Sequence, residues 1–158
     1  MQGGAFDEIE MFRAIGSSGA RALLIGRRAL VLLGLPVMTR DYDFWLPIED
    51  AALFNAAVAP FDLFPNRSPE EARAFGRYVL QNDEKIDVAV ARFVTTVDGV
   101  QVPFAEVWER RCVVEVVPGL AVAVPSIDDL ILTKRFGGRP KDAEDIRMLE
   151  ALRGTGTR

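Results

Sequence analysis

The sequence predicts a domain of the mixed α/β or α+β class. Short apolar runs at 20–25 and 42–46 have the length of buried strands and flank a helix-like segment. Residues 86–91 alternate between apolar and small or charged side chains, which is typical of a strand with one buried face. Ser68 and Ser126 each precede an acidic residue at the spacing of a helix N-terminal cap. Strands and helices are therefore interspersed along the chain.

The first half of the chain is predicted to alternate between helix and strand. Its elements are, in order, an amphipathic helix at 5–17, a buried strand at 20–25, a helix at 27–35, a strand at 42–46 and a helix at 48–58. Phe6, Ile9 and Phe12 give the first helix its three-to-four spacing. Pro36 and Pro60 end the second and third helices, because proline cannot donate to the helical ladder.

The second half begins with a helix that Ser68 caps. The elements that follow are strands at 77–81 and 85–93, a short helix at 104–111, a hairpin of 113–117 and 120–124, and helices at 127–136 and 140–152. Gly137 and Gly138 are predicted to stop the first of the last two helices. For domain organisation we expect an N-terminal helix at 1–19, a single domain at 20–153 and a disordered tail at 154–158.

Composition excludes several kinds of protein. A chain of 158 residues favours one domain, and 19 basic against 23 acidic residues predict no general polyanion-binding surface. No apolar run approaches the roughly 20 residues of a membrane span, and the N-terminus lacks a signal-peptide pattern. The absence of histidine excludes Ser-His-Asp and Cys-His catalysis and histidine-rich zinc sites. Cys112 is the lone cysteine, which suits a reducing compartment. We therefore expect a cytoplasmic protein that does not associate with a membrane.

Three aspartates are the first candidates for chemistry. Strand alternation places Asp41 and Asp43 on one face, about 7 Å apart, and such close like charges indicate a cation between them. Asp87 lies within an apolar strand beside small residues and would complete a carboxylate triad. Three such groups hold Mg²⁺, a hard cation that prefers oxygen ligands. The plainer interpretation is a solvated acidic turn at Asp41 and Asp43 and an exposed strand position at Asp87.

A glycine and a basic cluster are the other candidates. Gly26 stands where a strand becomes a helix, so backbone N–H groups there can approach a phosphate, although many such glycines serve packing alone. Lys134 shares the apolar face of its helix and is either a phosphate ligand or a lysine that snorkels to solvent at a helix end. Arg139 belongs to the same basic cluster. Asp142 and Asp145 share one face of the last helix and either point toward these cations or complement its N-terminal dipole.

These residues together resemble the nucleotidyltransferase superfamily of DNA polymerase β-like proteins. The closest branch is one of small uncharacterised bacterial proteins related to the nucleotidyltransferase toxins of abortive-infection toxin–antitoxin systems. The segments that carry the resemblance, which spans about residues 20–150, are Gly26, Thr39-Arg40-Asp41-Tyr42-Asp43, Lys85-Ile86-Asp87-Val88, Asp129-Leu130-Ile131-Leu132-Thr133-Lys134 and Arg139-Pro140-Lys141-Asp142-Ala143-Glu144-Asp145-Ile146.

The resemblance implies a mixed β-sheet flanked by helices and transfer of NMP from an NTP to a hydroxyl on RNA, protein or a small molecule. Asp41, Asp43 and Asp87 would bind Mg²⁺ (or Mn²⁺), with Asp87 also the base. The residues it implies for nucleotide binding are Gly26, Arg27, Arg28, Thr39, Lys134, Arg139, Asp142 and Asp145.

Arg27 and Arg28 depart from the family pattern, in which a second Gly or a Ser follows the turn glycine. An arginine there either contacts the triphosphate or blocks close backbone approach. Two alternatives therefore stay open. One is a catalytically degenerate protein that binds nucleotide, RNA or a cognate antitoxin. The other is a metal-dependent phosphodiesterase or nuclease, since a carboxylate triad also serves hydrolysis.

Overall fold

The computed structural model describes residues 6–135 and 140–155. The helices in these ranges are α1 (Glu8–Ser17), α2 (Gly26–Leu32), α3 (Ala51–Val58), α4 (Pro69–Phe75), α5 (Phe104–Glu109), α6 (Ile127–Lys134) and α7 (Pro140–Gly154). The strands are β1 (Leu23–Ile25), β2 (Tyr42–Trp45), β3 (Phe64–Pro65), β4 (Arg77–Gln81), β5 (Lys85–Ala89), β6 (Phe93–Thr95), β7 (Gln101–Pro103), β8 (Cys112–Val117) and β9 (Leu120–Val124). The predicted α/β (α+β) class is confirmed.

The largest sheet within the described ranges has five strands in the order β1-β2-β5-β4-β3. Strands β2 and β5 are parallel, whereas β1–β2, β5–β4 and β4–β3 are antiparallel. Two hairpins, β6–β7 and β8–β9, form separate two-stranded sheets. The single parallel pair places β2 and β5 at the centre of the sheet, and the residues of interest lie on these two strands.

The sheet separates two apolar clusters. Tyr42, Phe44 and Val88 point into the larger cluster, which also receives the buried face of α1. Trp45 points the other way, into a smaller cluster with Phe104 of α5, whose ring centroid lies 5.4 Å from that of Trp45. Alternation along β2 therefore buries side chains on both sides of the sheet. Asp43 lies on the same side as Trp45.

Helix starts follow the capping pattern seen in the sequence. Ser68 forms a complete capping box with Glu71 ahead of α4, and the Ser126 hydroxyl accepts from the Asp129 amide ahead of α6. Asp7 caps α1, so that helix begins at Glu8 rather than at residue 5. These side chains bind backbone N–H groups that have no partner inside a helix.

The predicted strand at 85–93 was wrong as one element. Strand β5 ends at Ala89, and the Val90 amide makes a last hydrogen bond, 2.8 Å long, to the carbonyl of Gly76 just before β4. The chain then turns away and pairs again as β6, in a hairpin with β7 that the sequence analysis missed. The two-residue strand β3 was also missed.

Other predicted boundaries were too wide. The predicted strand at 20–25 is restricted to β1, because the Arg21 amide donates to the Asp50 carboxylate instead of to a strand. Helix α2 ends before Gly34, whose φ of +89° lies outside helical backbone. The predicted helix at 48–58 begins as a 3₁₀ turn, and that at 104–111 ends at Glu109. Gly137 and Gly138, the predicted stop of α6, lie outside the described residues.

The N-terminal helix, predicted at 1–19 ahead of the domain at 20–153, shares the main core. Its Met11, Phe12 and Ile15 are buried in the larger apolar cluster. At the other end, α7 runs to Gly154, and 156–158 of the predicted tail at 154–158 lie outside the described residues. No helix in residues 6–135 or 140–155 is both long and apolar enough to cross a membrane.

Candidate functional site

Two aspartates lie side by side at the centre of the sheet. Asp43 of β2 and Asp87 of β5 are register partners in the parallel pair, so their backbones are about 5 Å apart. Both side chains are half-buried and lie on the face opposite the main core. The sequence predicted both as members of one carboxylate triad, and the pairing of β2 with β5 brings these two together.

The Asp43 carboxyl is placed where a negative charge is unfavourable. Burial, followed by repulsion from Asp87 and Asp41, raises its pKa to about 6, although Lys134 and Arg77 act in the opposite direction. None of the described residues donates a hydrogen bond to it. Nearby carboxylates raise a pKa because each disfavours ionisation of the other. A bound cation would relieve that repulsion.

Gly26 lies directly against Asp43. Its φ is +70°, and a Cβ at this position would lie 2.5 Å from Asp43 Oδ2 and 3.1 Å from Asp43 Cβ and Cγ. A glycine is therefore required here both for backbone conformation and for space. The absence of a side chain lets the Asp43 carboxylate pack against the backbone where β1 becomes α2.

Asp87, unlike Asp43, is covered by cations. Arg77 Nη2 lies 3.0 Å from Asp87 Oδ1, and Lys85 Nζ lies 3.5 Å from Asp87 Oδ2. Arg77 was not among the predicted site residues, and Lys85 was given no role. The available signal was that Lys85 shares a strand face with Asp87 and that Arg77 opens the preceding strand.

Asp41 stands just before β2 rather than within it. The expectation that strand alternation sets the direction of the Asp41 side chain is therefore wrong. The charge of Asp41 is nevertheless close enough to raise the pKa of Asp43. Its amide donates to Thr39 Oγ1 at 3.1 Å. A pocket of about 370 Å³ opens beside it. The residues that line this pocket are Arg28, Thr39, Arg40, Asp41, Asp83, Glu84 and Lys85.

Lys134 is held by the acidic face of α7. Its ammonium donates to Asp145 Oδ2 at 2.8 Å and lies 4.0 Å from Asp142 Oδ1. Lys134 and both aspartates are buried. The inward orientation of the two aspartates toward Lys134 was one of the two arrangements that the sequence left open. The ammonium also lies close enough to Asp43 to oppose the rise in the pKa of Asp43.

Arg27 binds the same carboxylate from the other side. Its Nε lies 3.2 Å from Asp145 Oδ2 and its Nη2 lies 3.0 Å from Asp145 Oδ1. Burial raises the pKa of Asp145, but the hydrogen bonds from Arg27 and Lys134 outweigh it, so the pKa is lowered overall. The Arg27 guanidinium therefore lies against α7 and does not cover Asp43.

Arg28 is engaged at the edge of the pocket. Its guanidinium lies 4.3 Å from the centre of the Tyr42 ring, donates to the Thr39 carbonyl at 3.1 Å and lies 3.3 Å from Glu8 Oε1. Arg139, which the sequence analysis also named, lies outside the described residues. The structure thus gathers Gly26, Asp43, Asp87 and Lys134, while each adjacent arginine has a partner of its own.

The donor chemistry of this cluster fits a hard divalent cation. Asp43 and Asp87 offer carboxylate oxygens from adjacent strands, and burial together with the neighbouring carboxylates raises the pKa of Asp43, so a bound cation would favour its ionised form. In the part of the chain that the structure describes, no three acidic or sulfur side chains already stand arranged to coordinate a metal. Asp41 is exposed and Asp87 is occupied by Arg77 and Lys85.

The fold is that of a nucleotidyltransferase. The crystal structure of TM1012 from Thermotoga maritima, a candidate nucleotidyltransferase, has a TM-score of 0.60 at 17% identity, over 87% of this chain and 86% of that one. The solution structure of the antibiotic-resistance factor ANT(2'')-Ia has a TM-score of 0.60 at 17% identity, and the match covers 89% of this chain and 78% of that one. The crystal structure of ANT(2'')-Ia in complex with adenylyl-2''-tobramycin has a TM-score of 0.58 at 18% identity, and the match covers 92% of each chain.

The sequence assigns the family independently of the fold. The family described as nucleotidyltransferase of unknown function (DUF6036) matches residues 6–153, and the chain belongs to it. No curated protein matches the chain significantly. The superfamily expected from the motifs is therefore confirmed.

Proposed function

We propose that the protein transfers a nucleoside monophosphate from an NTP to a hydroxyl acceptor, with Mg²⁺ (or Mn²⁺) as cofactor. The observation that supports this is the pairing of Asp43 with Asp87 on adjacent parallel strands, within electrostatic reach of the Lys134 ammonium. Two carboxylates and a lysine supply groups for a cation and for the phosphates that it accompanies. Family membership and fold point to the same reaction class.

Asp43, Asp87 and Asp41 would hold the divalent ion. When bound, it supplies positive charge that neutralises the nucleotide's phosphates during transfer. The protein contributes by keeping Asp43 against the Gly26 backbone, where no side chain intervenes. Asp87 would accept the proton of the acceptor hydroxyl, which requires a carboxylate within hydrogen-bond reach of it.

Lys134 would bind a phosphate of the nucleotide. Asp145 and Asp142 hold its ammonium at the end of α6, so the side chain is already ordered before the nucleotide arrives. Ordering a lysine in advance lowers the entropy lost when it binds a ligand. Arg27 supports this arrangement through Asp145 and would reach a phosphate only after leaving that carboxylate.

The acceptor or part of the nucleotide would enter the pocket beside Asp41. Its volume of about 370 Å³ lies within the range of small-molecule sites, and Arg28 and Thr39 line it. ANT(2'')-Ia was solved with an adenylylated small molecule, adenylyl-2''-tobramycin. A small-molecule acceptor is therefore the first to test here, before an RNA end or a protein hydroxyl.

Binding tests the proposal most directly. Mn²⁺ with an NTP should bind the wild type, whereas Asp43→Asn should lose at least tenfold in affinity because a carboxylate ligand is removed. Asp128→Asn is the matched control, since this exposed aspartate pairs with Arg153 away from the sheet. Equal affinity of all three proteins would contradict the assignment.

Product analysis separates the alternative functions. With an NTP labelled at the α-phosphate, the proposed activity moves label onto an acceptor. Release of labelled monophosphate alone would instead identify a hydrolase. Nucleotide binding with no product from any acceptor would favour a degenerate nucleotide- or RNA-binding protein, or the partner of an antitoxin.

A further inference from the structure

Asp87 differs from Asp43 in that both of its carboxylate oxygens already have cationic partners. Arg77 Nη2 is 3.0 Å from one oxygen and Lys85 Nζ is 3.5 Å from the other. Asp43 receives no hydrogen bond from the described residues. The two aspartates that the proposed function assigns to one metal ion are therefore unequally accessible to it.

The pleat of the sheet brings these two cations to Asp87. Lys85 precedes Asp87 by two residues on β5, so their side chains share a face. Val79 of β4 is the register partner of Asp87, and Arg77 lies two residues before it on the same face. Arg77 is thus a diagonal neighbour, at a distance that a long side chain spans.

Both cations are attached loosely enough to be displaced. The side chain of Arg77 is 61% exposed and that of Lys85 is 46% exposed. Water screens the exposed cationic side of each pair and the long side chains lose freedom in forming it, so each cation is held weakly even though the Asp87 side chain is only 15% exposed. Neither cation has another carboxylate partner among the described residues, so each depends on Asp87 for its position.

We propose that Arg77 and Lys85 act as resident counter-ions of Asp87, which a divalent cation must displace in order to reach that carboxylate. This inference rests on the proposed function, since it takes Asp43 and Asp87 as metal ligands. A divalent ion in contact with an Asp87 oxygen and a guanidinium at 3.0 Å from the same carboxylate repel one another.

Affinity for the metal alone tests the proposal. Mn²⁺ binding, followed by electron paramagnetic resonance without nucleotide, should be about threefold to tenfold tighter in the double variant Arg77→Gln/Lys85→Gln than in the wild type. Each single variant should show a smaller gain. Arg92→Gln is the matched control, because it removes one exposed arginine that pairs with Glu49 instead. Its affinity should equal that of the wild type.

The outcomes separate this proposal from the function on which it rests. If the wild type and the double variant bind Mn²⁺ equally, the counter-ion role is overturned while the metal site stands. A double variant that binds when the wild type does not would support displacement strongly. If neither protein binds Mn²⁺, the metal assignment of the proposed function fails, and this inference fails with it. Far-UV circular dichroism establishes that each variant is folded.

Discussion

Two carboxylates that both feel the charge of Lys134 have contrasting surroundings. Asp145 on α7 is fully buried and receives hydrogen bonds from both Lys134 and Arg27, and its pKa is lowered. Asp43 on β2 is half-buried and receives none from the described residues, and its pKa is raised to about 6. One negative charge is neutralised within the protein, and the other has no counter-charge in contact among the residues that the structure describes.

The difference separates a structural ion pair from a carboxylate that the proposed function assigns to metal binding. Burial of a charge is costly unless it is paired and hydrogen-bonded, so the pairs at Asp145 hold α2, α6 and α7 together. An ionised carboxylate in the position of Asp43 destabilises the ligand-free protein, and either protonation or a bound cation relieves that destabilisation. Substitutions at the two carboxylates and at Gly26 test this contrast.

The largest effect is expected at Asp145. Asp145→Asn should destabilise the protein by about 3 kcal/mol, because it leaves the buried Lys134 ammonium without its close carboxylate partner. Urea unfolding measures the change. Asp128→Asn, at an exposed pair with Arg153, should change stability by less than about 0.5 kcal/mol. Similar losses in the two variants would mean that the Asp145 pairs are not structural.

Gly26→Ala is expected to have the next largest effect. The substitution should lower the free energy of unfolding by about 2 to 3 kcal/mol, because alanine is strained at a φ of +70° and its methyl group would also collide with the Asp43 carboxylate. Gly34→Ala is the control for backbone strain alone, because Gly34 has a φ of +89° and nothing lies within 4 Å of the position of an added methyl group. It should lower the free energy of unfolding by about 1 kcal/mol. Thermal unfolding compares them.

The collision can be tested directly in a double-mutant cycle. When Asp43 is already alanine, Gly26→Ala should destabilise the protein by less than it does in the wild type, because the carboxylate oxygen at 2.5 Å is gone and only the contact with Cβ of residue 43 at 3.1 Å remains. An unchanged cost in the Asp43→Ala background would show that the two residues are not in contact.

The smallest effect is a stabilisation. In EDTA at pH 7.5, Asp43→Asn should be more stable than the wild type by about 1 to 2 kcal/mol, because the raised pKa of Asp43 penalises the ionised native state. This destabilisation of the native state by ionised Asp43 is fully present above pH 6. It disappears as the pH falls to and below the ordinary aspartate pKa, because the carboxyl is then protonated in both the native and the unfolded state. The stability difference should therefore shrink between pH 7 and pH 4.

Acid should change the stability contributed by Asp145 in the opposite direction. Its pKa is lowered, so its contribution to stability is present above the ordinary aspartate value and is lost as the pH falls through the lowered pKa. Guanidinium chloride titrations across this range measure both trends. A wild type and an Asp43→Asn variant with parallel pH profiles would contradict the difference between the two carboxylates.

Local features of the fold were predictable because they depend on neighbouring residues. The caps at Ser68 and Ser126 and the alternation along β5 are set by hydrogen bonds and pleating within a few residues, and they were found. The β6–β7 hairpin was missed although Asp98-Gly99 is a turn signal, because the preceding apolar run was taken as one strand.

Contacts between distant residues were less predictable. The register that sets Asp43 beside Asp87 depends on which strands pair, and no local pattern gives that order. The partner of Arg27 lies 118 residues away, at Asp145. Two opposite charges on otherwise apolar surfaces were a usable signal for that pair. For Arg77 the only signal was its place at the start of the preceding strand, and an arginine beside a turn is ordinarily solvated.

The parallel pairing of β2 with β5 also governs when the site comes into existence. Neighbouring parallel strands require a long crossover, and here segment 46–84 must be completed before Asp87 can reach Asp43. Such pairing has a high contact order and forms late in folding. A nascent chain that has not yet emerged beyond β5 therefore lacks the Asp43–Asp87 pair on which the proposed metal site depends.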